Sequence, residues 1–141
     1  MEYKSLTHSK WYCRYHIVWI PKYRRKKLFN DLRRELIPVL KELAKRRDSE
    51  IIEGKMLADH VHILLSVPPK RSVSDVVGFM KGKSAIEVAR ILGRKRNYSG
   101  QHFWARGYFV STVGIEEATV QEYIRNQEEE DRRVDQLELF G

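Results

Sequence analysis

An α+β fold with the order β-α-β-β-α-β is predicted by three observations. Runs rich in β-branched and aromatic residues occur at 11–20, 50–56, 60–67 and 108–113. Patterns with apolar residues three and four apart separate the outer runs from the middle pair, and a further one follows the last run. The middle runs are joined by only a short turn, which makes them antiparallel neighbours.

Taken in order, "WYCRYHIVWI" (11–20) reads as a long first strand. "PKYRRKK" (21–27), opened by Pro21, reads as a loop in which Tyr23 sits among Lys22, Arg24, Arg25, Lys26 and Lys27. Residues 31–47 place Leu32, Leu36, Val39, Leu40 and Leu43 on one helix face, while Pro38 predicts a kink or a delayed start. "EIIEGKM" (50–56) and "HVHILLSV" (60–67) are the paired strands, closed by Pro68 and Pro69. Ser72 or Ser74 can cap the next helix, with the stripe Val73, Val77, Met80, Ser84, Val88 and Ile91. Gly93 is expected to stop it, leaving "RKRNYSG" as a second basic loop with Arg94, Lys95, Arg96 and Tyr98. "YFVSTV" (108–113) is the fourth strand, and a last helix runs from about Glu116 to about Arg133 with acids in its first turn. This is the plan of a ferredoxin-like split βαβ sheet with two helices on one face and a C-terminal helix added. Without repeats or linkers, residues 1–141 are expected to form one domain, packed from about 10 to 130 and ending in an acidic tail, 128–141.

Hydrophobic content of 42% with 33% charged residues is that of a folded globular chain and excludes a disordered one. Cys13 is the only cysteine, so no intrachain disulfide is possible and a reducing, cytoplasmic setting is expected. The polar "MEYKSLTHSK" has no secretory character, and apolar runs such as "ILL" are too short for a bilayer, so no membrane partner is expected. The net charge of +8 is unevenly placed: the tail from Glu128 holds six acids against two bases, leaving +12 on the first 127 residues. A body this basic attracts polyanions, phosphate backbones first among them, although a merely solvated basic surface has the same composition.

In "ADHVHILL" (58–65), alternation turns Val61, Ile63, Leu65 and Val67 to the core and His60, His62, Leu64 and Ser66 to the other face. Two imidazoles that distance apart on a strand, about 6.6 Å between Cα atoms, can share a metal ion. They can equally be two solvent-facing side chains, one of them hydrogen-bonded to Asp59. In "QEYIRNQ", Tyr123 and Gln127 share a helix face at i, i+4 spacing beside Val120 and Ile124, which can anchor that helix to the sheet.

Together "YHIVWIPKYRR" (15–25), "LADHVHILLSV" (57–67), "FWARGYFVSTVG" (103–114) and "VQEYIRNQ" (120–127) resemble the single-tyrosine HUH transposases of the insertion sequence 200/605 group. REP-associated tyrosine transposases, domesticated relatives, share much of the pattern. The resemblance implies His60 and His62 as the metal-binding HUH pair, Gln127 as third ligand and Tyr123 as nucleophile. Ala58 stands where many relatives have proline. It further implies a homodimer with joined sheets and composite active sites, and single-stranded DNA with hairpins near the element ends as substrate. Lys22–Lys27, including Tyr23, Arg24, Arg25 and Lys26, together with Arg94–Tyr98, are candidate hairpin contacts, by phosphate neutralisation and base stacking.

The implied ligand set suits the implied chemistry. Neutral imidazoles and an amide leave a divalent ion, Mg²⁺ or Mn²⁺, its full charge for the scissile phosphate. A tyrosine nucleophile conserves the ester bond as a 5′-phosphotyrosine, so rejoining needs no ATP. The competing readings are an RRM-like binding module without catalysis, a metal-dependent hydrolase and a domesticated endonuclease.

Overall fold

The computed structural model describes residues 3–6, 9–96 and 103–140, and their side chains except at 5, 6, 93–96 and 138–140. In chain order the elements are β1 (Lys4–Leu6), β2 (Ser9–Trp11), β3 (Arg14–Trp19), α1 (Lys26–Lys45), β4 (Glu50–Met56), β5 (Val61–Ser66), α2 (Val73–Arg96), β6 (Phe109–Ser111) and α3 (Glu117–Phe140). Strands β3 to β6 form an antiparallel sheet of order β4-β5-β3-β6, the ferredoxin-like arrangement expected from the element order. Strands β1 and β2 form a separate hairpin.

The period-two pattern of the central strands decides the layers. Strands β3 and β5 pair from Arg14 opposite Ser66 to Trp19 opposite Val61. Ile17 and Trp19 therefore share a face with Val61, Ile63 and Leu65, and this face packs under Phe29, Leu36 and Leu40 of α1 and Val77, Met80 and Val88 of α2. Each such side chain contributes about 1.5–3 kcal/mol by leaving water. A bulge between Ile51 and Glu53 shifts the β4 register, so that Ile51 meets Leu65 and packs against the same core. Val18 and Ile20 point the other way and form a second, smaller core with Ala105, Val120 and Ile124. Helix α3 thus covers part of the opposite sheet face, anchored by the two residues expected to anchor it.

Several boundaries differ from the sequence expectation. The first strand is not continuous: Ser9–Trp11 pairs with Lys4–Leu6, and only Arg14–Trp19 enters the main sheet. An aromatic, β-branched run signals extended chain but not its partner. Helix α1 neither waits for residue 31 nor starts after Pro38; a 3₁₀ turn at Tyr23–Arg25 leads straight into it at Lys26, and Phe29 secures the early turn in the core. Pro38 is tolerated inside α1 because it lies on the exposed face, where the Arg34 carbonyl it deprives of a donor can be hydrated. Ser72 rather than Ser74 caps α2, its Oγ accepting the Asp75 N–H at 3.0 Å. Gly93 does not stop α2; the helix continues to Arg96, since a helical glycine costs only about 1 kcal/mol and good helix formers follow it. Leu92, not Ile91, continues the buried stripe. Ser84 belongs in that stripe because its Oγ accepts the Trp104 Nε1–H at 2.9 Å. The last strand shortens to Phe109–Ser111, and α3 runs on through the acidic tail.

Candidate active site

His60 sits at the entry to β5 and His62 within it, their ring centroids 6.4 Å apart. His60 is buried, at 3% exposure, and its Nδ1 shares a 2.7 Å hydrogen bond with Asp59 Oδ1. That contact leaves Nε2 as the nitrogen available to a ligand, an arrangement typical of metal-binding histidines oriented by a neighbouring carboxylate. His62 is half-buried, and burial, then the neighbouring His16, His60 and Lys55, push its pKa down. A neutral imidazole is the form a metal requires.

His16 is the residue that sequence reasoning missed. It lies on β3 diagonal to His62, with ring centroids 5.8 Å apart and planes at 75°. The alternation His16, Val18, Ile20 in the first strand carried the signal; the β3–β5 register was needed to use it. Among the described residues no group of three or more His, Cys, Asp and Glu side chains is placed to hold a metal ion. A metal ion shared by His60 and His62 would therefore need a further donor of another kind or from another chain.

On α3, Tyr123, Gln127 and Asp131 follow at i, i+4 and i+8, one stripe of the helix. The Tyr123 ring packs edge-on against Phe109 at 5.8 Å. Burial pushes its phenol up to about 12, an effect that the Gln127 amide partly offsets. The buried hydroxyl oxygen nonetheless completes no full hydrogen bond. Gln127 Nε2 donates to the Arg106 carbonyl at 2.6 Å. Lys81 of α2 holds the flanking carbonyls, Ala105 at 2.8 Å and Gly107 at 2.7 Å, while burial pulls its pKa down to about 8. Three successive carbonyls are thus gripped from two helices. Gly107, at φ +81°, supplies the left-handed turn this grip requires.

The two halves of the candidate site share a sheet face but are not adjacent. Lys55, His62, Val18 and Phe109 form one row across β4, β5, β3 and β6. With strands about 4.8 Å apart, the Cα atoms of Phe109 and His62 are about 10 Å apart. Tyr123 stands over the Phe109 end of this row, and the amide of Gln127 is turned to Arg106.

The first basic segment is engaged by α3. Lys22 is buried, 3.8 Å from Asp131 and 3.9 Å from Asp135. Arg24 lies 3.9 Å from Asp135, and Lys26 pairs with Glu128 at 3.0 Å. The Tyr23 N–H donates to Asp131 Oδ2 at 2.7 Å, and the Arg132 guanidinium stacks 3.8 Å from the Tyr23 ring centroid. The acidic tail is therefore a strap across this turn, with Lys27 exposed beside it. Arg94, Lys95 and Arg96 form the last turn of α2 instead of a loop, and Tyr98 lies outside the described residues.

Comparison with known proteins gives concordant results. The family model described as "Transposase IS200 like" matches residues 9–127. The transposase for insertion sequence element IS200 of Salmonella typhimurium is 44% identical over 137 residues, which cover 96% of this chain and 90% of that protein. The ISDra2 transposase TnpA of Deinococcus radiodurans is 31% identical over 119 residues, 83% of this chain and 85% of the relative. A crystal structure of a protein from Deinococcus radiodurans R1 superposes with a TM-score of 0.73 at 28% identity, covering 88% of this chain and 97% of the other. A REP-associated tyrosine transposase, solved bound to a REP hairpin, shares the fold at a TM-score of 0.53 and 14% identity, over 84% and 68% of the two chains. With a family match over most of its length and a relative at 44% identity, this chain belongs to the IS200-like transposase family.

Proposed function

We propose that the chain cuts and rejoins single-stranded DNA by transesterification through Tyr123. The observation that carries this reading is the His60–His62 pair, with Asp59 orienting His60, on the same sheet face as the Tyr123–Gln127 stripe. Within one chain Val18 and Phe109 lie between the two halves. A homodimer in which α3 of one protomer serves the histidines of its partner would bring them together. His60, His62 and Gln127 would hold a divalent cation, Mg²⁺ or Mn²⁺, which when bound offsets charge on the scissile phosphate.

The protein's own residues divide the remaining work. The Tyr123 oxygen attacks phosphorus, a Tyr–O–P bond forms and the P–O3′ bond breaks. The phenolic proton leaves to solvent or to the departing 3′-oxygen. The product is a 5′-phosphotyrosine and a free 3′-hydroxyl; a 3′-hydroxyl from another end then reverses the step, so no nucleotide is consumed. A buried phenol hydroxyl that completes no full hydrogen bond suits a nucleophile whose polar partners arrive with substrate, and since burial holds it near 12, those partners must also favour loss of its proton. The basic body, with Lys27 exposed and Arg94–Arg96 ending α2, supports recognition of hairpins near the element ends. A fold neighbour solved with a REP hairpin agrees with that reading.

The test is a denaturing gel of protein mixed with Mn²⁺ or Mg²⁺ and labelled single strands from the DNA flanking its gene. A covalent protein–DNA band that vanishes in Tyr123→Phe is expected. Cleavage without such a band would instead make the protein a hydrolase.

A further inference from the structure

The sheet face that carries the histidines is only partly roofed by α3. Val18 and Ile20 are sealed beneath it, whereas His16, His62 and Leu64 stay half-buried. Beyond His16 this face opens into a cleft of about 460 Å³, whose lining includes Tyr12, Arg14, His16, Leu64 and Thr112. Small-ligand clefts span roughly 300–1,000 Å³.

Part of this lining is a stack of planar groups. The Arg14 guanidinium lies 4.5 Å from the Tyr12 ring centroid, and Tyr3 meets Tyr12 edge-on at 6.2 Å. Tyr12 keeps 38% of its surface exposed, so this platform is not used up by the fold. The lining contains basic, aromatic and neutral side chains and no acid, which disfavours a cation and suits an anionic ligand with a flat ring. The cleft also adjoins the histidine pair through His16, 5.8 Å from His62 between ring centroids.

We infer that this cleft is a nucleobase-binding subsite, which takes the base of the nucleotide adjoining the phosphate at His60 and His62. Tyr12 and Arg14 supply the stacking surface, Leu64 an apolar contact, and His16 a hydrogen-bonding edge. The subsite rests on the reading that single-stranded DNA is the substrate, and it deepens that reading by making a base beside the cut a determinant of where the chain cuts.

The experiment is equilibrium binding of the full chain to fluorescein-labelled single strands from the DNA flanking its gene, by fluorescence anisotropy without metal. Wild type is compared with Tyr12→Ala, Arg14→Gln and Tyr12→Trp, each on intact strands and on strands with a single abasic position moved along the sequence. Tyr12→Ala should weaken binding about 5- to 150-fold, the range for loss of one stacked base. Tyr12→Trp should restore it. At one abasic position wild type should lose the same factor while Tyr12→Ala loses nothing more, a coupling that a general structural role would not give.

Unchanged binding by Tyr12→Ala overturns the subsite, as does a loss independent of every abasic position. A weakened protein dimer in sedimentation, with DNA affinity per dimer unchanged, would make the cleft a contact between two copies and also overturn it. If wild type binds none of the single strands, the substrate reading itself falls and takes the subsite with it. A phosphotyrosine adduct formed by Tyr12→Ala at saturating strand would separate these cases, since it leaves that reading standing.

Discussion

Removing the Asp131 carboxylate should loosen the strap that fixes α3. Its side chain is 5% exposed; Oδ2 accepts the Tyr23 N–H at 2.7 Å and Oδ1 lies 3.8 Å from the buried Lys22 ammonium. A hydrogen bond to a charged group contributes about 1.5–3 kcal/mol. Breaking a buried ion pair from one side costs about 3–5 kcal/mol when the other charge is left alone. Here Lys22 retains Asp135 at 3.9 Å, so the second cost applies only in part. Asp131→Ala should therefore destabilise by about 2–4 kcal/mol, combining the two contributions. Urea unfolding followed by tryptophan fluorescence measures this directly. Asp131→Asn, which keeps an acceptor for Tyr23 but removes the charge, should fall between the alanine variant and wild type. In a cycle with Lys22→Met, the pair should show a coupling of about 0.5–3 kcal/mol. A loss below about 0.5 kcal/mol for Asp131→Ala, the scale of an ordinary surface change, would refute the strap as a stabilising contact. Glu130→Gln is the control: its Arg133 partner is solvent-exposed, and the unfolding midpoint should not move.

Two further outcomes follow from buried polar atoms. Ultraviolet difference titration of the metal-free protein should show a tyrosine that ionises near pH 12 and is missing in Tyr123→Phe. Because that value lies above the ordinary phenol value of 10.0, folding favours the protonated phenol; the stability this confers is present below pH 10 and lost as pH rises through about 12. Loss in the variant of a signal nearer 10 would contradict the burial of this hydroxyl. Ser84→Ala should cost about 1–3 kcal/mol in thermal unfolding, because it leaves the Trp104 N–H buried without its acceptor. A near-neutral result would mean that Trp104 finds another partner.

Local pattern carried the outline of this molecule. Strand alternation in "HVHILLSV" was enough to separate Val61, Ile63 and Leu65 from His62, and the i, i+4 spacing to put Tyr123 and Gln127 on one helix face. The element order likewise implied the β4-β5-β3-β6 sheet. These features depend on neighbours within a few residues, whose periodicity the chain displays directly. What tertiary structure alone decided are the contacts between distant segments. Tyr23 and Asp131 stand 108 positions apart, and neither "PKYRRKK" nor the acidic tail shows that the other neutralises it. His16 joined the histidine pair only through the register of β3 against β5. The separation of Tyr123 from His62 by a strand likewise depends on which sheet edge α3 chooses, a competition among packing energies that no short window of sequence contains.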